Sequence, residues 1–493
     1  MSSCFKRTIG KNMKQESLKN KTIKGVGWSA ADAFLGQGVT FIVGLVLARL
    51  LSPDEYGLIG ICLIFTTVLN GIVDSGFSKA LIRRTDVTNA DYNTMFILNM
   101  VMSVFLYLLL YLCAPYIADF FHRPVLVAMI RCIGLVLIAN AMSIVQVTIL
   151  TKVIDFKTKT KASLISAIVS GLLGILLALC GFGVWALVVQ QLAKQFIYTL
   201  CLWLLNKWYP KIVFRKSSFI YMWGFGWKLL LSNLIDSIWS QLYQVVVGKF
   251  YSPYTLGQYT RSQEYASVFS QNFTSIVQRV SYPALAEIQN EPERLLCAYR
   301  KVIKTTMLVT CFFMFLLGSI AEPLIYCLIG PKWQIASTFL PLICANMSLY
   351  PLHAINLNVL QIKGRSDLFL YIEIVKKIIA IIPICIGIFI GIYQMLWFSI
   401  LTGILSFFVN SFYSGKSIGY SSFAQLKDVM PNYLLAFVVA SIVYCFKYIA
   451  ISYWIILPIQ CVCGLLLFVV FCEIMKINEY DEIKSILKSY ICK

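Results

Sequence analysis

The sequence predicts an all-α protein that crosses a membrane many times, and three observations support this prediction. Of the 493 residues, 59% are hydrophobic and 13% are charged, a balance outside the range of soluble globular proteins. Apolar runs such as Met95–Ile117 are long enough to cross a hydrocarbon core of about 30 Å at about 1.5 Å per residue. These runs are continuously apolar rather than alternating, which predicts helices and not a barrel.

Charged residues, prolines and glycines divide the apolar runs into candidate spans. They lie at 25–48, 57–78, 94–118, 125–150, 161–180, 184–204, 224–247, 301–325, 336–361, 368–391, 393–413, 431–449 and 452–474. This reading leaves the stretch 257–279, GQYTRSQEYASVFSQNFTSIVQR, outside the membrane because it is polar.

An internal repeat adds that stretch as one more span. The segment ARLLSPDEYG at 48–57 recurs as GKFYSPYTLG at 248–257, an offset of 200 residues. On this alignment the polar stretch 257–279 corresponds to the apolar stretch 57–79, so we predict that it is a membrane helix. Two copies of six helices and two further helices then make 14 transmembrane helices, and an even number per copy predicts a parallel repeat.

The positions of the basic residues predict the orientation. Lys and Arg in short loops favour the cytoplasm, and with 257–279 in the membrane the later basic residues gather on one side. Both termini are therefore expected in the cytoplasm. The predicted segments are a basic N-terminal tail (1–24), a first lobe (25–206), a basic connector (207–223), a second lobe (224–413), the last two helices (414–476) and a C-terminal tail (477–493).

Charge and composition exclude several other classes of function. The net charge of +20 would suggest nucleic acid for a soluble protein, but the basic residues here separate apolar spans, so we expect no nucleic-acid partner. The 16 cysteines form no CxxC pairs, and the chain has only two histidines that could join them as metal ligands. This pattern predicts reduced thiols and no metal site. Without a phosphate-binding lysine loop or a loop long enough for a catalytic domain, the chain is not expected to be an enzyme.

Polar side chains recur along 257–279 at spacings of three or four residues, as on one face of a helix. They are Arg261, Glu264, Ser267, Gln271, Ser275 and Gln278. A charged side chain at the bilayer centre costs on the order of 3 kcal/mol, so this face should meet water or protein. Either Arg261 and Glu264 pair and lock against a neighbour, or the face lines a hydrated cavity between the two lobes; the length of the row favours the cavity.

Other polar residues within predicted spans are candidates for the same path. The candidates to line a cavity are Asn70, Asn140, Gln146, Gln271, Asn346 and His353. The ionisable candidates within spans are Asp32, Asp74, Lys228 and Asp236. A single histidine such as His353 is expected to make hydrogen bonds in a cavity rather than to bind a metal.

Two extended motifs resemble the polysaccharide exporter family, in the branch of colanic-acid-like and teichuronic-acid-like exporters. The motifs are LARLLSPDEYGLIG with DSGFSKALIRR in the first copy and GQYTRSQEYASVFSQNFTSIVQRVSYPALAEIQNEPERL in the second. The resemblance implies a Wzx-type flippase in the bacterial inner membrane, which moves undecaprenyl-diphosphate-linked oligosaccharides to the periplasmic leaflet by alternating access. It implies no cofactor beyond a coupling proton or sodium ion. The implied partners are membrane lipids and the polymerase and glycosyltransferases of the pathway.

The residues that match the family motifs by position are Asp74, Arg261, Glu264 and Arg279. We hypothesise that Arg261, Arg279 and Lys228 attract the diphosphate. The acidic residues that would pair with them or bind the coupling ion are Asp32, Asp74, Asp236 and Glu264. Two alternatives remain: a multidrug or cation antiporter of the same superfamily, and a membrane polymerase or ligase of lipid-linked sugars.

Overall fold

The computed structural model describes residues 35–491, apart from Ser75, Thr85, Lys207 and Ala450. Side chains are not described at Phe225, Lys228, Leu229, Ser366 and 486–491. All regular secondary structure in the described residues is helical. The chain divides into two compact units between Tyr254 and Thr255.

In the described part of the first unit, the helices follow one another with short connections. They are α1 (Gln37–Leu50), α2 (Pro53–Asp74), α3 (Phe77–Arg83), α4 (Asn89–Phe120), α5 (Val125–Ile133), α6 (Leu135–Lys152), α7 (Phe156–Leu179), α8 (Val184–Leu205) and α9 (Lys216–Phe250). Helix α9 packs on α2, α3 and α4 in this unit. The predicted second lobe begins at residue 224, whereas the first compact unit ends at Tyr254. The predicted domain boundaries stay a prediction.

Helix α10 (Pro253–Glu287) leads into the second unit. The helices after it are α11 (Pro292–Ser319), α12 (Ala321–Ile329), α13 (Gln334–Met347), α14 (Tyr350–Ile362), α15 (Ser366–Ile379), α16 (Ile381–Phe389), α17 (Ile392–Ile418), α18 (Ser422–Cys445), α19 (Tyr453–Ile474) and α20 (Asn478–Ile491). Two short 3₁₀ turns, Pro331–Trp333 and Phe446–Tyr448, connect α12 to α13 and follow α18.

Local sequence explains where several helices begin. Helix α2 starts in a capping box, because the Glu55 carboxylate accepts from the Ser52 backbone N–H at 2.6 Å and the Ser52 hydroxyl oxygen accepts from the Glu55 backbone N–H at 3.4 Å. Thr88 and Asp91 form the same motif at the start of α4, with the Thr88 N–H 2.8 Å from Asp91 Oδ2. These caps satisfy backbone donors that a helix leaves free at its first turn.

Ten helical segments in the described residues are long and apolar enough to cross a membrane. They are Pro53–Arg83, Asn89–Phe120, Val125–Lys152, Phe156–Leu179, Val184–Leu205, Pro292–Ser319, Pro331–Ile362, Ile392–Ile418, Ser422–Tyr448 and Tyr453–Ile474. The prediction of an all-helical, multi-pass membrane protein is therefore confirmed. The count of 14 helices and the repeat of two lobes stay predictions.

The polar stretch 257–279 lies inside α10, a continuous helix of 35 residues. At about 1.5 Å per residue α10 is about 52 Å long, more than a hydrocarbon core requires. The helical prediction for this stretch is confirmed. Because α10 is too polar to count among the ten apolar segments, its crossing of the membrane stays a prediction.

The core of the second unit forms where α11 packs on α14, α17 and α18. Leu295, Tyr299, Ile303 and Met307 follow one another at intervals of four residues on α11, and each is at most 1% exposed. This spacing places them on one stripe of the helix. The stripe holds α11 against the helices that carry the polar residues described next.

Candidate functional site

Helix α10 presents two polar rows, and the first is packed against α13 and α14. At its start, the Gln258 side chain donates to Lys332 O at 2.9 Å and accepts from Ala336 N at 2.9 Å. One turn later, the Ser262 hydroxyl donates to Ala336 O at 2.9 Å. Gln258 and Ser262 are both fully buried, so these hydrogen bonds join α10 to the beginning of α13 away from water.

The same packed row continues down the helix. The Ser270 hydroxyl donates to Met347 O at 2.6 Å, and Gln278 Nε2 lies 3.2 Å from both Ala354 O and Asn358 Oδ1. Gln278 therefore belongs to the packed row and not to the hydrated row in which its spacing places it. Backbone carbonyls of a neighbouring helix satisfy these side chains, which no spacing rule can reveal.

The second row on α10 carries the charges. Arg261 Nη1 lies 2.5 Å from Glu264 Oε2, with the two side chains 13% and 43% exposed. Further along, Gln271 and Arg279 are exposed. Arg279 makes no hydrogen bond or ion pair with the residues that the structure describes. Arg261 and Arg279 are five helical turns apart, about 27 Å, so both arginines extend from the same side of α10.

Two predicted residues of the second unit connect α13 and α14 to α17. His353 Nδ1 lies 2.9 Å from Asn410 Nδ2, and Asn410 is fully buried. Asn346 Oδ1 lies 2.9 Å from the point that a Cβ on Gly403 would occupy, so it fills the space left by this glycine. Both side chains contact α17, and both keep some exposed surface.

The structure also shows an ion pair that the sequence analysis missed. On α15, Lys376 Nζ lies 2.6 Å from Glu373 Oε1, and both side chains are partly buried. Lys376 and Glu373 lie within the predicted span 368–391, but neither is among the ionisable candidates predicted within spans. The three-residue spacing from Glu373 within that span was the signal that could have identified the pair.

A second missed feature is a buried network centred on Asn356. Its Oδ1 accepts from Tyr299 Oη at 2.9 Å and from Ser414 Oγ at 2.5 Å, and its Nδ2 donates to Gln425 Oε1 at 3.1 Å. All four residues are fully buried. The network joins four helices, α11, α14, α17 and α18, so its role is to fix their packing.

In the first unit, predicted polar residues meet between α2 and α6. Asn140 Nδ2 donates to Asn70 Oδ1 at 2.8 Å, and the Ser143 hydroxyl donates to Asn140 O at 2.8 Å. On the same helix as Asn70, the Asp74 carboxylate accepts from Ser78 Oγ at 2.5 Å. The structure thus brings Asn70 and Asn140 together and places Asp74 one turn further along α2.

Gln146 has a different environment from the other predicted residues. It is fully buried, and its Oε1 accepts from Asn206 Nδ2 at 2.5 Å while its Nε2 donates to Trp208 O at 2.8 Å. Gln146 therefore holds the segment that follows α8. Asp236 lies exposed on α9, whereas Asp32 and the Lys228 side chain lie outside the described residues.

A further charged cluster of the first unit surrounds Asp91 at the start of α4. Arg84 Nη1 lies 3.0 Å from Asp91 Oδ1, and the Asp91 side chain is fully buried. Lys152 Nζ donates to the backbone oxygens of Leu81 and Arg84 at 3.1 and 2.5 Å. These bonds join α3, α4 and α6 at one end of the unit.

The chemistry of these side chains allows them to bind charged or hydroxylated molecules. Arg279 can accept an anion, and the exposed amide of Gln271 can bind hydroxyl groups. Within the described residues, no group of three or more His, Cys, Asp or Glu side chains is arranged to hold a metal ion.

The fold and these polar rows define an all-helical, multi-pass membrane protein with hydrogen-bonding side chains inside its helical units. A family profile described as polysaccharide biosynthesis protein matches residues 46–338, more than half of the chain. The chain therefore belongs to this family, and its resemblance to the polysaccharide exporters and flippases is confirmed.

Individual relatives agree with this assignment. The succinoglycan biosynthesis transport protein ExoT of Rhizobium meliloti (strain 1021) is 25% identical over 334 residues, which is 68% of each chain. The teichuronic acid biosynthesis protein TuaB of Bacillus subtilis (strain 168) is 25% identical over 358 residues, 72% of this chain and 74% of its own.

A solved structure has the same fold. The lipid II flippase MurJ, in an inward closed conformation, matches with a TM-score of 0.70 and 17% identity over 92% of this chain and 98% of its own. At this identity the likeness establishes the fold alone.

Proposed function

We propose that this protein moves an undecaprenyl-diphosphate-linked oligosaccharide from the cytoplasmic to the periplasmic leaflet of a bacterial inner membrane. The lipid-linked unit would serve surface polysaccharide synthesis, such as that of an O-antigen, capsule or exopolysaccharide. Membership of the polysaccharide biosynthesis family and the fold of a lipid-linked substrate flippase support this function. The same proposal places both termini in the cytoplasm.

One observation carries the proposal most directly, namely the charged row of α10. Arg279 is exposed on a helix that packs among apolar helices, and Arg261 extends from the same side about 27 Å away. A guanidinium group binds phosphate oxygens through two parallel hydrogen bonds. Two such groups along one helix provide successive positions for a diphosphate that passes along it.

The pair of Arg261 and Glu264 supplies the exchange that such a path requires. In the described structure Glu264 neutralises Arg261, which keeps the charge compensated when no substrate is bound. A diphosphate that reaches Arg261 would displace Glu264, and the released carboxylate could take up a proton or sodium ion. Substrate movement would then be coupled to an ion gradient through alternating access.

The test is a leaflet-resolved assay of lipid-linked oligosaccharide in membrane vesicles from cells that carry the full chain. We expect Arg261→Gln and Arg279→Gln each to leave the lipid-linked unit on the cytoplasmic face, with unchanged amounts of protein in the membrane. The matched control is Arg294→Gln, because Arg294 is an exposed arginine on α11 that pairs only at the surface with Glu291. This control should transport normally.

Two outcomes would contradict different parts of the proposal. Unchanged sidedness in the double variant of Arg261 and Arg279 would overturn the role of these residues. Unchanged sidedness after deletion of the whole gene would overturn the transport function itself.

A further inference from the structure

A small cavity of about 190 Å³ lies in the second unit, where α12 turns into α13 and α19 begins. The groups that can meet a ligand there are Glu322, Tyr326, Gln334, Ser337 and Tyr453. The turn depends on Gly330, whose φ of +94° is a backbone conformation that other residues rarely adopt. The cavity is separate from the charged row of α10.

Glu322 is held in place on one side of the cavity. Lys447 Nζ lies 2.7 Å from Glu322 Oε2, and Tyr453 Oη donates to Glu322 Oε1 at 2.8 Å. Burial opposes ionisation, but the hydrogen bonds from Lys447 and Tyr453 prevail and lower the pKa of Glu322. The carboxylate is thus ionised, its charge is compensated by Lys447, and each oxygen keeps lone pairs for a ligand.

An aromatic wall faces this carboxylate. The Tyr326 ring is 40% exposed, and its centroid lies 4.9 Å from that of Tyr453. An exposed ring face offers an apolar surface, and its hydroxyl offers a hydrogen bond. The cavity therefore has one apolar side and one side of acceptors.

The remaining wall adds both donors and acceptors. The Gln334 side chain is exposed, and it makes no hydrogen bond to the part of the protein that the structure describes. Ser337 is nearly buried, and its hydroxyl donates to Gln334 O at 2.7 Å, so its oxygen is left to accept. An amide presents two donors and an acceptor at the rim.

These features select the chemistry of the ligand. Because Lys447 compensates Glu322, neither an anion nor a cation gains a net attraction. A purely apolar ligand would leave the amide and the carboxylate without partners, which costs free energy. An uncharged ring that carries hydroxyl groups on its edge and C–H groups on its face satisfies both walls.

We propose that this cavity is a saccharide-binding subsite for one uncharged sugar residue. The proposal rests on the proposed function, since the sugar would belong to the transported unit. An apolar cavity of about 150 Å³ can hold benzene, so about 190 Å³ has room for one six-membered ring and not for a whole oligosaccharide. The subsite would thus bind a single sugar residue.

The position of the subsite agrees with the polar rows of α10. Gln258 at the start of α10 bonds to Lys332 O and Ala336 N, on either side of Gln334. Arg279 lies 21 residues further along α10, about 32 Å from this end. Arg261, the first of the two proposed diphosphate positions, lies only three residues beyond Gln258, about 4.5 Å along the helix. The sugar position therefore lies at the Arg261 end of the charged row.

Anchoring in the membrane interface is the competing explanation for these tyrosines, because aromatic side chains gather there. Tyr448, which is 80% exposed and does not line the cavity, represents that role. It therefore provides the matched control for Tyr326.

The experiment uses the full chain in lipid nanodiscs and saturation-transfer NMR. The probes are the methyl glycosides of glucose, galactose, N-acetylglucosamine and glucuronic acid. We expect at least one uncharged glycoside to bind. The glucuronide should bind at least about tenfold more weakly, because its carboxylate would lose hydration without a net attraction to replace it. Binding should weaken about fivefold in Tyr326→Ala and in Gln334→Ala, the scale of one lost aromatic or hydrogen-bonded contact.

The controls separate binding from folding. Tyr448→Ala should bind as the unaltered chain does. Tyr326→Phe, which keeps the ring and loses the hydroxyl, should bind less tightly than the unaltered chain and more tightly than Tyr326→Ala, and thermal unfolding checks that each variant is folded. The subsite is overturned if no uncharged glycoside binds, if the glucuronide binds equally well, or if a folded Tyr326→Ala variant binds normally. If no glycoside binds but vesicle transport is normal, the subsite fails and the proposed function stands. If glycosides bind but deletion of the gene leaves sidedness unchanged, the proposed function fails and the cavity remains a saccharide site.

Discussion

Arg261 and Glu264 form an ion pair of 2.5 Å within a single helix, with the carboxylate 43% exposed and the guanidinium 13% exposed. An ion pair between residues three apart on one helix contributes little to stability, usually under about 1 kcal/mol. The pair is therefore better explained by a need to compensate charge on α10 than by a need to hold the fold. A substitution of Glu264 can therefore test its proposed role in transport with little effect on stability.

We predict that Glu264→Gln changes thermal stability little and changes transport strongly. The expected loss of unfolding free energy is under about 1 kcal/mol, because Glu264 is well exposed to solvent. Transport in vesicles should fall and should lose its dependence on the coupling ion. A shift of tens of degrees in the midpoint of thermal unfolding of the purified variant would show instead that the pair is structural.

The Asn356 network predicts the opposite pattern. Asn356→Ala leaves the buried Tyr299 and Ser414 hydroxyls and the Gln425 amide without their partner, at about 1–3 kcal/mol for each such group. We expect a marked fall in the midpoint of thermal unfolding. The control is Asn290→Ala, an exposed asparagine of the same unit, which should unfold like the unaltered chain.

Gly415, near the end of α17, has no room for a larger side chain. A Cβ on Gly415 would lie 2.2 Å from Tyr420 O, a backbone atom that cannot move aside alone. Gly415→Ala should therefore destabilise the chain by about 1–3 kcal/mol, although alanine favours a helix by about 1 kcal/mol. In Gly318→Ala, where the nearest contact is an ordinary 3.4 Å, stability should be unchanged or higher. Equal thermal shifts in both variants would contradict this.

Glu322 predicts how stability depends on pH. Its hydrogen bonds to Lys447 and Tyr453 lower its pKa below the ordinary value of 4.5 in the folded chain. Its contribution is therefore present above pH 4.5 and is lost as the pH falls through the lower folded pKa. Unfolding midpoints measured from pH 7 to pH 3 should fall less steeply in Glu322→Gln. Parallel curves for both chains would mean that this carboxyl does not titrate as proposed.

Much of the architecture could be predicted, because the thickness of the bilayer sets the length of each apolar run and the periodicity of a helix shows in neighbouring residues. The repeat even identified a helix in 257–279, where composition alone indicates a loop. Asn70 and Asn140 are polar residues within predicted spans, and the structure joins their side chains although they are 70 residues apart. The helices could be predicted because each depends on residues close together in the chain, whereas the contact between the two asparagines could not.

The errors arose where the partner of a side chain lies far away in the sequence. Gln278 donates to a backbone carbonyl 76 residues later, and Gln146 accepts from Asn206, 60 residues later, just after α8. For both glutamines the sequence shows a polar residue and does not show what satisfies it. Lys376 is a different case, because its partner Glu373 is only three residues away and their spacing could have revealed the pair.

By itself, the sequence determined the class of protein, its helices and its family, because apolar length, repeat spacing and motifs are properties of the linear chain. Only the tertiary structure decided which polar groups are already satisfied by neighbouring helices and which remain accessible. That distinction places Gln278 in a packed interface and leaves Arg279 accessible, although they are adjacent residues. It depends on the direction in which each side chain leaves the helix and on the atoms opposite it, which folding alone brings together.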